Sequence, residues 1–380
     1  MHTMNRRICI YASIVALILT ATVATTHAQN RPRASLTDPD GVALFEAACA
    51  TCHGSDGRGR SQAEVGFPTP LPDFTDCDFA AREPNADWSA IIHEGGPVRG
   101  FNRMMPAFGA ALTEEQIEAA LTRLRSFCTN PDWPRGELNL PRALFTEKAY
   151  PEDEAVITTT VNTEGNSSIG TKFLYEQRFG TRNQMELSLP LYRADLGDPL
   201  GWESGAGDLA IAYKRAMRHS LERGSIFTLG AELVLPTGDE ARGFGSGTTV
   251  LEPYLAYGKL LGRMQASFVQ LQALTELPAD RSRSDEGQVR VAFGRTMTSG
   301  GPFGRAWTPM LEVLAARELE SGADTNYDVV PQFQVTLSKR QHVIANAGFR
   351  VPVNNTSGRD TQFIFYLLWD WFDGGPLEGW

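Results

Sequence analysis

The chain has 380 residues, 42% of them hydrophobic and 21% charged, with a formal net charge of −10. That length suggests two or three domains. The acidic balance makes nucleic acid and anionic lipid headgroups poor partners.

Residues 1–28 read as an export signal. Arg6 and Arg7 supply the positive end, an apolar run from Ile8 to Val23 follows, and Thr26-His27-Ala28 places small residues at the cleavage position. The alternative is a membrane anchor, but the run is short, Thr-rich toward its end and lacks a basic stop. Cleavage after Ala28 would remove two arginines and no acids, leaving a more acidic chain in an oxidising compartment.

Asp38 or Asp40 can cap a short helix with Val42, Phe45 and Ala48 at spacings of three. That helix leads into "CATCHG". Cys49 and Cys52 around two small residues, followed by His53, form the attachment run of a c-type haem. In such a run the thiols hold the porphyrin and the histidine offers a ring nitrogen to iron. The other ring nitrogen needs a partner, for which the proline-rich loop Phe67–Phe74 is a candidate. Downstream, Met104 and Met105 precede Pro106, and a thioether sulfur is a soft ligand that raises a haem's potential. His93 would instead make a bis-His site, although "IIHEGG" reads as a helix end with an exposed imidazole. Thr113 and Gln116 form a capping box. Ile117, Ala120, Leu121, Leu124 and Phe127 then make an apolar stripe at helical spacing. With Cys9 in the leader and two cysteines committed to haem, Cys77 and Cys128 remain. A disulfide is expected, with two unrelated buried thiols as the alternative.

Over residues 38–130 the chain resembles the class I cytochromes c, through "GVALFEAACATCHG", "MMPAFG" and "LTEEQIEAALTRLRSF". The resemblance implies an all-α domain carrying one covalent haem c, with its iron between His53 and Met105, that passes single electrons to or from a periplasmic redox protein. One departure concerns that partner. Residues 29–131 contain no lysine and only nine arginines against fourteen acids. Docking through a lysine ring is therefore not available, and a neutral or basic partner is expected.

Residues 131–153 form a polar, proline-marked connector. From 154 to 380 the pattern changes to alternation. Met185, Leu187, Leu189 and Leu191 oppose Glu186 and Ser188; Phe333, Val335 and Leu337 oppose Gln332, Gln334 and Thr336. A soluble sandwich and a membrane barrel both alternate. Length favours the barrel, since the segments run near the ~9–11 residues that cross a bilayer rather than the usual ~5–6. Twelve segments are expected, near 155–162, 168–179, 183–193, 206–217, 224–235, 248–259, 263–275, 286–297, 305–317, 326–337, 341–351 and 360–371. Short turns such as "GTRN" and "SKRQ" alternate with Gly- and Asp-rich loops such as "TGDEARGFGSG", the outer-membrane pattern. An even count leaves both barrel ends on the short-turn side, which would put the haem domain in the periplasm. The fold class is thus an α + β multidomain chain: a cytochrome c domain followed by a ~12-stranded antiparallel transmembrane barrel.

"GAGDLAIAYKRAM", "LGAELVLPTGDEARGFGSG" and "LEPYLAYGKLLG" resemble the outer-membrane proteins of the meta-pathway phenol-degradation or putative transporter family. That resemblance implies porin-like passage of small or hydrophobic compounds. By parity Lys172, Glu176, Arg178, Glu186, Lys214, Glu232, Glu252, Arg290, Glu312, Arg350 and Asp370 face the lumen, where they either salt-bridge one another or meet a substrate. No nucleophile–base pair, phosphate loop or metal-spaced histidine cluster occurs, and His219 and His342 stand alone in sequence. Two functions follow: an electron carrier stationed on the outer membrane and not an enzyme, or a passive transporter with an accessory haem.

Overall fold

A computed structural model describes residues 40–67, 70–162, 167–262 and 266–371. The expected leader and the tail from 372 to 380 lie outside the described residues. No helix among the described residues is long and apolar enough to cross a membrane.

The helical part begins with α1 (Gly41–Ala48), whose first amides donate to the Asp40 carboxylate, and α2 (Ala50–His53). There follow α3 (Gln62–Val65), α4 (Cys77–Arg82), α5 (Asn85–Glu94) and α6 (Glu114–Arg125). The Thr113–Gln116 capping box forms, and Ile117, Ala120, Leu121 and Leu124 are buried. The α1 face differs from the expected one. Val42 is 51% exposed while Phe45 is fully buried. The reason lies at Gly41, where a Cβ would sit 2.3 Å from the Ala119 carbonyl oxygen. Helix α1 approaches α6 through Gly41 and Phe45, one turn apart, and this rotates Val42 outward. The Phe45 and Phe127 rings meet at 5.2 Å.

Cys77 at the start of α4 is joined to Cys128 after α6, closing a loop across 51 residues. Replacing both with alanine should destabilise the helical domain by about 3–4 kcal/mol, read as a lower unfolding midpoint. An unchanged midpoint would show that the bridge adds nothing.

The remainder is one closed antiparallel barrel. Its long strands are β1 (Glu154–Asn162), β2 (Ser168–Phe179), β3 (Asn183–Asp195), β5 (Leu209–Ser220), β6 (Ser225–Leu235), β7 (Val250–Leu261), β8 (Ser267–Pro278), β9 (Glu286–Arg295), β11 (Arg305–Glu318), β12 (Asn326–Thr336), β13 (Val343–Pro352) and β14 (Gln362–Asp370). Closure comes from β1 pairing β14, with Glu154 opposite Asp370 and Asn162 opposite Gln362. Two short strands are extra. β10 (Met297–Ser299) extends the inner hairpin of β11. β4 (Trp202–Ala206) folds back on β3, pairing Ala206 with Leu191. That pairing explains why the strand expected at 206–217 begins instead at Leu209: "GAGD" belongs to an outer flap.

The alternation resolves as a membrane barrel requires. Met185, Leu187, Leu189 and Leu191 are 37–46% exposed on the outer face, while Gln184, Glu186 and Ser188 are buried in the lumen. Phe173, Leu229, Phe333, Phe365 and Leu367 continue the apolar belt. A contiguous exposed apolar surface of this extent is the mark of contact with lipid.

Candidate functional site

The haem motif sits on a hydrophobic core of Phe45, Ala50, Phe74, Trp88, Ile92, Leu121 and Leu124, against which Cys49 and Met105 both pack. The His53 and Phe74 rings meet at 5.1 Å. The backbone around the motif is tied on both sides. His53 N–H donates to Cys49 O at 2.9 Å, Gly59 N–H to His53 O at 2.9 Å and Arg60 N–H to Cys52 O at 2.8 Å. Gly54 leaves the helix at φ 71°, a conformation that a side chain would strain. The Met105 loop is held by Gly96 N–H donating to Met105 O at 3.0 Å and Phe108 N–H to Ile92 O at 2.9 Å.

These environments suit a haem. Burial lowers the His53 pKa to about 4, so its imidazole is neutral at pH 7 and has a lone pair to offer. Its buried Nδ1 has no hydrogen-bond partner among the described residues, and part of the proline-rich loop (68–69) lies outside them. Burial, helped by Cys52, raises the Cys49 thiol to about 11. Two free thiols, a neutral imidazole and a thioether gathered on one apolar core are the donor set of a c-type haem. The fold separates the two candidate methionines: Met104 is 49% exposed, whereas Met105 lies against the core. His93 lies elsewhere. It ends α5, its Nδ1 is 2.9 Å from Glu94 Oε1, and its ring meets Phe303 of the barrel at 5.2 Å.

The second feature is the connector, which enters the lumen. Leu138, Leu140, Ala143, Ala149 and Tyr150 are buried inside the barrel. A Cβ on Gly136 would lie 1.8 Å from the Arg82 carbonyl oxygen, so only glycine allows the chain to pass the helical domain there. The inserted segment is irregular from residue 139 on, and its backbone groups need partners from elsewhere. The wall provides them. Leu144 N–H donates to Gln332 at 3.0 Å, Thr146 N–H to Glu312 at 2.7 Å and Glu147 N–H to Gln272 at 3.0 Å. Pro141 O accepts from Gln270 at 2.8 Å, Arg142 O from the Tyr366 hydroxyl at 2.7 Å and Phe145 O from Arg290 at 2.9 Å.

Charges lock the same segment. Arg142 pairs with Glu154 at 2.5 Å and Glu176 at 2.8 Å. Lys214 reaches Glu147 at 2.5 Å and Glu186 at 3.5 Å. The lumen residues named by parity are thus largely engaged by the protein's own plug or by one another. Arg178 covers Trp133 and Tyr150, and Arg350 pairs with Asp328 at 2.7 Å. Lys172, exposed, and the half-buried Glu232 and Glu252 lie beyond the plug toward the long loops. A cavity of about 250 Å³ is lined by Phe145 of the plug and by Arg290, Asp328, Arg350 and Arg359 of the wall and loops.

The helical domain docks on the short-turn side. Arg82 pairs with Asp153, and Arg99 donates to Phe303 O at 2.8 Å. His342 is not isolated: its Nε2 is 3.3 Å from Glu83 and its Nδ1 3.4 Å from Asp370.

The family model described as cytochrome c oxidase, cbb3-type, subunit III matches residues 37–122. No curated protein matches the chain. Among solved structures, an outer-membrane channel from Pseudomonas putida F1 is similar at 15% identity and TM-score 0.43, over 61% of this chain and 100% of that one. The NanC porin is similar at 9% identity and TM-score 0.40 over 57% and 98%, and LpxR from Salmonella typhimurium at 6% and 0.38 over 57% and 100%. Residues 37–122 thus match a cytochrome c family model, which implies a haem, and residues 154–370 close into a barrel of twelve long strands with an apolar outer face.

Proposed function

We propose that the protein stations a one-electron carrier at the inner face of the outer membrane. Cys49 and Cys52 would hold one covalent haem c, and His53 and Met105 would be the side chains that bind its iron. When bound, that group supplies a reversible single-electron couple. Because His53 and Met105 would both be offered to the iron, the protein is read as a carrier and not an enzyme. The short-turn side, where the helical domain docks, is read as periplasmic, and a soluble periplasmic redox protein as the donor or acceptor. Lipid surrounds the barrel, and nucleic acid has no role.

The plug is the observation that carries this reading. A lumen filled by residues 138–152 favours an anchor over an open diffusion pore. Electrons are not expected to cross. The apolar band of such a barrel is about 25 Å tall, and the sequence holds no second CxxCH to relay them. In liposomes with the helical domain inside, the protein should leave an impermeant external acceptor oxidised when an internal reductant is supplied. Reduction outside without added carriers would refute the stationing role.

A further inference from the structure

We infer that the docking surface for the soluble redox partner is shared between the helical domain and the barrel, and that it takes an acidic protein. This rests on the electron-transfer reading above and adds the partner's charge and place of contact. The turn between β12 and β13 (337–342) lies against the loop that precedes Met105. A Cβ on Gly100 would be 3.8 Å from Arg340 Cγ and 3.9 Å from Lys339 Cβ. The Arg340 guanidinium lies 4.2 Å from the Phe101 ring centre. Gln341 Nε2 donates to Asp87 at 3.4 Å, which ties the same turn to α5.

The surface formed this way has an apolar centre and a basic surround. Phe101 is 38% exposed and Met104 49%, large values for such side chains. Arg103 and Lys339 are exposed beside them, and among the described residues no carboxylate pairs with either. A helical domain that contains no lysine of its own thus gains one from the barrel, next to the segment bearing the candidate ligand. This reverses the expectation drawn from the helical domain alone, that its partner be neutral or basic. An apolar centre with charge at its rim is the usual anatomy of a protein interface. Rim charge of one sign raises the encounter rate with a partner of the other. Lipid phosphate is also an anion within reach of a barrel turn. The protein reading is favoured because Arg340 is drawn over Phe101, and because the exposed apolar pair belongs to the helical domain.

The test uses the full-length haem-loaded protein in detergent and the variant Arg103→Glu/Lys339→Glu. Binding of a small acidic flavodoxin is measured at low and high salt. Oxidation of the reduced protein is timed with hexacyanoferrate(III), an anion, and with tris(phenanthroline)cobalt(III), a cation; each takes one electron from the protein and moves no proton. The variant should bind flavodoxin more weakly and react with the anionic oxidant about tenfold more slowly at low salt, while the cationic oxidant reacts as fast or faster. The visible spectrum should not move. Equal slowing with both oxidants, or no change in either, overturns the inference. So does a variant unchanged in both assays but weaker on phosphatidylglycerol vesicles, which would assign the patch to lipid. If the underlying electron-transfer reading fails, the wild type itself shows no reducible haem band, a result distinct from all of these.

Discussion

Replacing residues 140–150 with glycine–serine repeats should turn a protein that passes almost no ions across a planar bilayer into one with steady conductance. Twelve strands fall between the ~8 that side chains alone can fill and the ~16 that leave an open channel. The lumen here is closed by a chain segment rather than by wall side chains. That segment is held by the ion pairs of its Arg142 with Glu154 and Glu176 and of its Glu147 with Lys214, and by side-chain bonds to its backbone. Removing one partner of a buried ion pair typically costs ~3–5 kcal/mol, because the remaining charge stays buried. Arg142→Ala alone, which strands Glu176 and leaves Glu154 only Lys148 at 4.0 Å, should therefore give intermittent openings. Steady conductance through the unaltered protein would show that the plug leaves at equilibrium, and would favour the transporter reading.

The strands were legible because a two-residue period survives in any sequence whose two faces meet lipid and a polar lumen. The twelve expected segments match twelve long strands; the fourth starts at Leu209 rather than 206, where the β4 flap intervenes, and the seventh at Ser267 rather than 263. The plug was not legible, since an irregular segment has no period to read. A signal did exist on the wall. Gln184, Gln270, Gln272, Gln332 and Gln334 all fall at lumen parity and are buried. Amides carry both a donor and an acceptor, so five spread over β3, β8 and β12 suit a guest backbone better than a solvent channel. The contact between Glu83 and His342 escaped notice because the two lie far apart in sequence and meet only where the helical domain docks. At the haem site, spacing alone named Cys49, Cys52 and His53. The choice between Met104 and Met105 rested on resemblance, because two adjacent methionines carry no local signal that separates them.

Geometry now adds one. Met105→Ala should remove the sulfur-to-iron charge-transfer band and lower the reduction potential, whereas Met104→Ala should leave both nearly unchanged. The Met105 side chain packs on the core that also holds Cys49, and its carbonyl accepts from Gly96, so the loop delivers it inward. Met104, 49% exposed, is directed to solvent; its N–H donates to the Asn102 side chain at 3.0 Å. A thioether supports a high potential by favouring reduced iron, so its removal lowers the potential while the thioether links through Cys49 and Cys52 keep the haem in place. Replacing either cysteine removes one of those links, and replacing both should release the haem when the protein is denatured. The reverse methionine result would move the ligand to Met104. A potential insensitive to both substitutions would point to His93, at the cost of its contacts with Glu94 and Phe303.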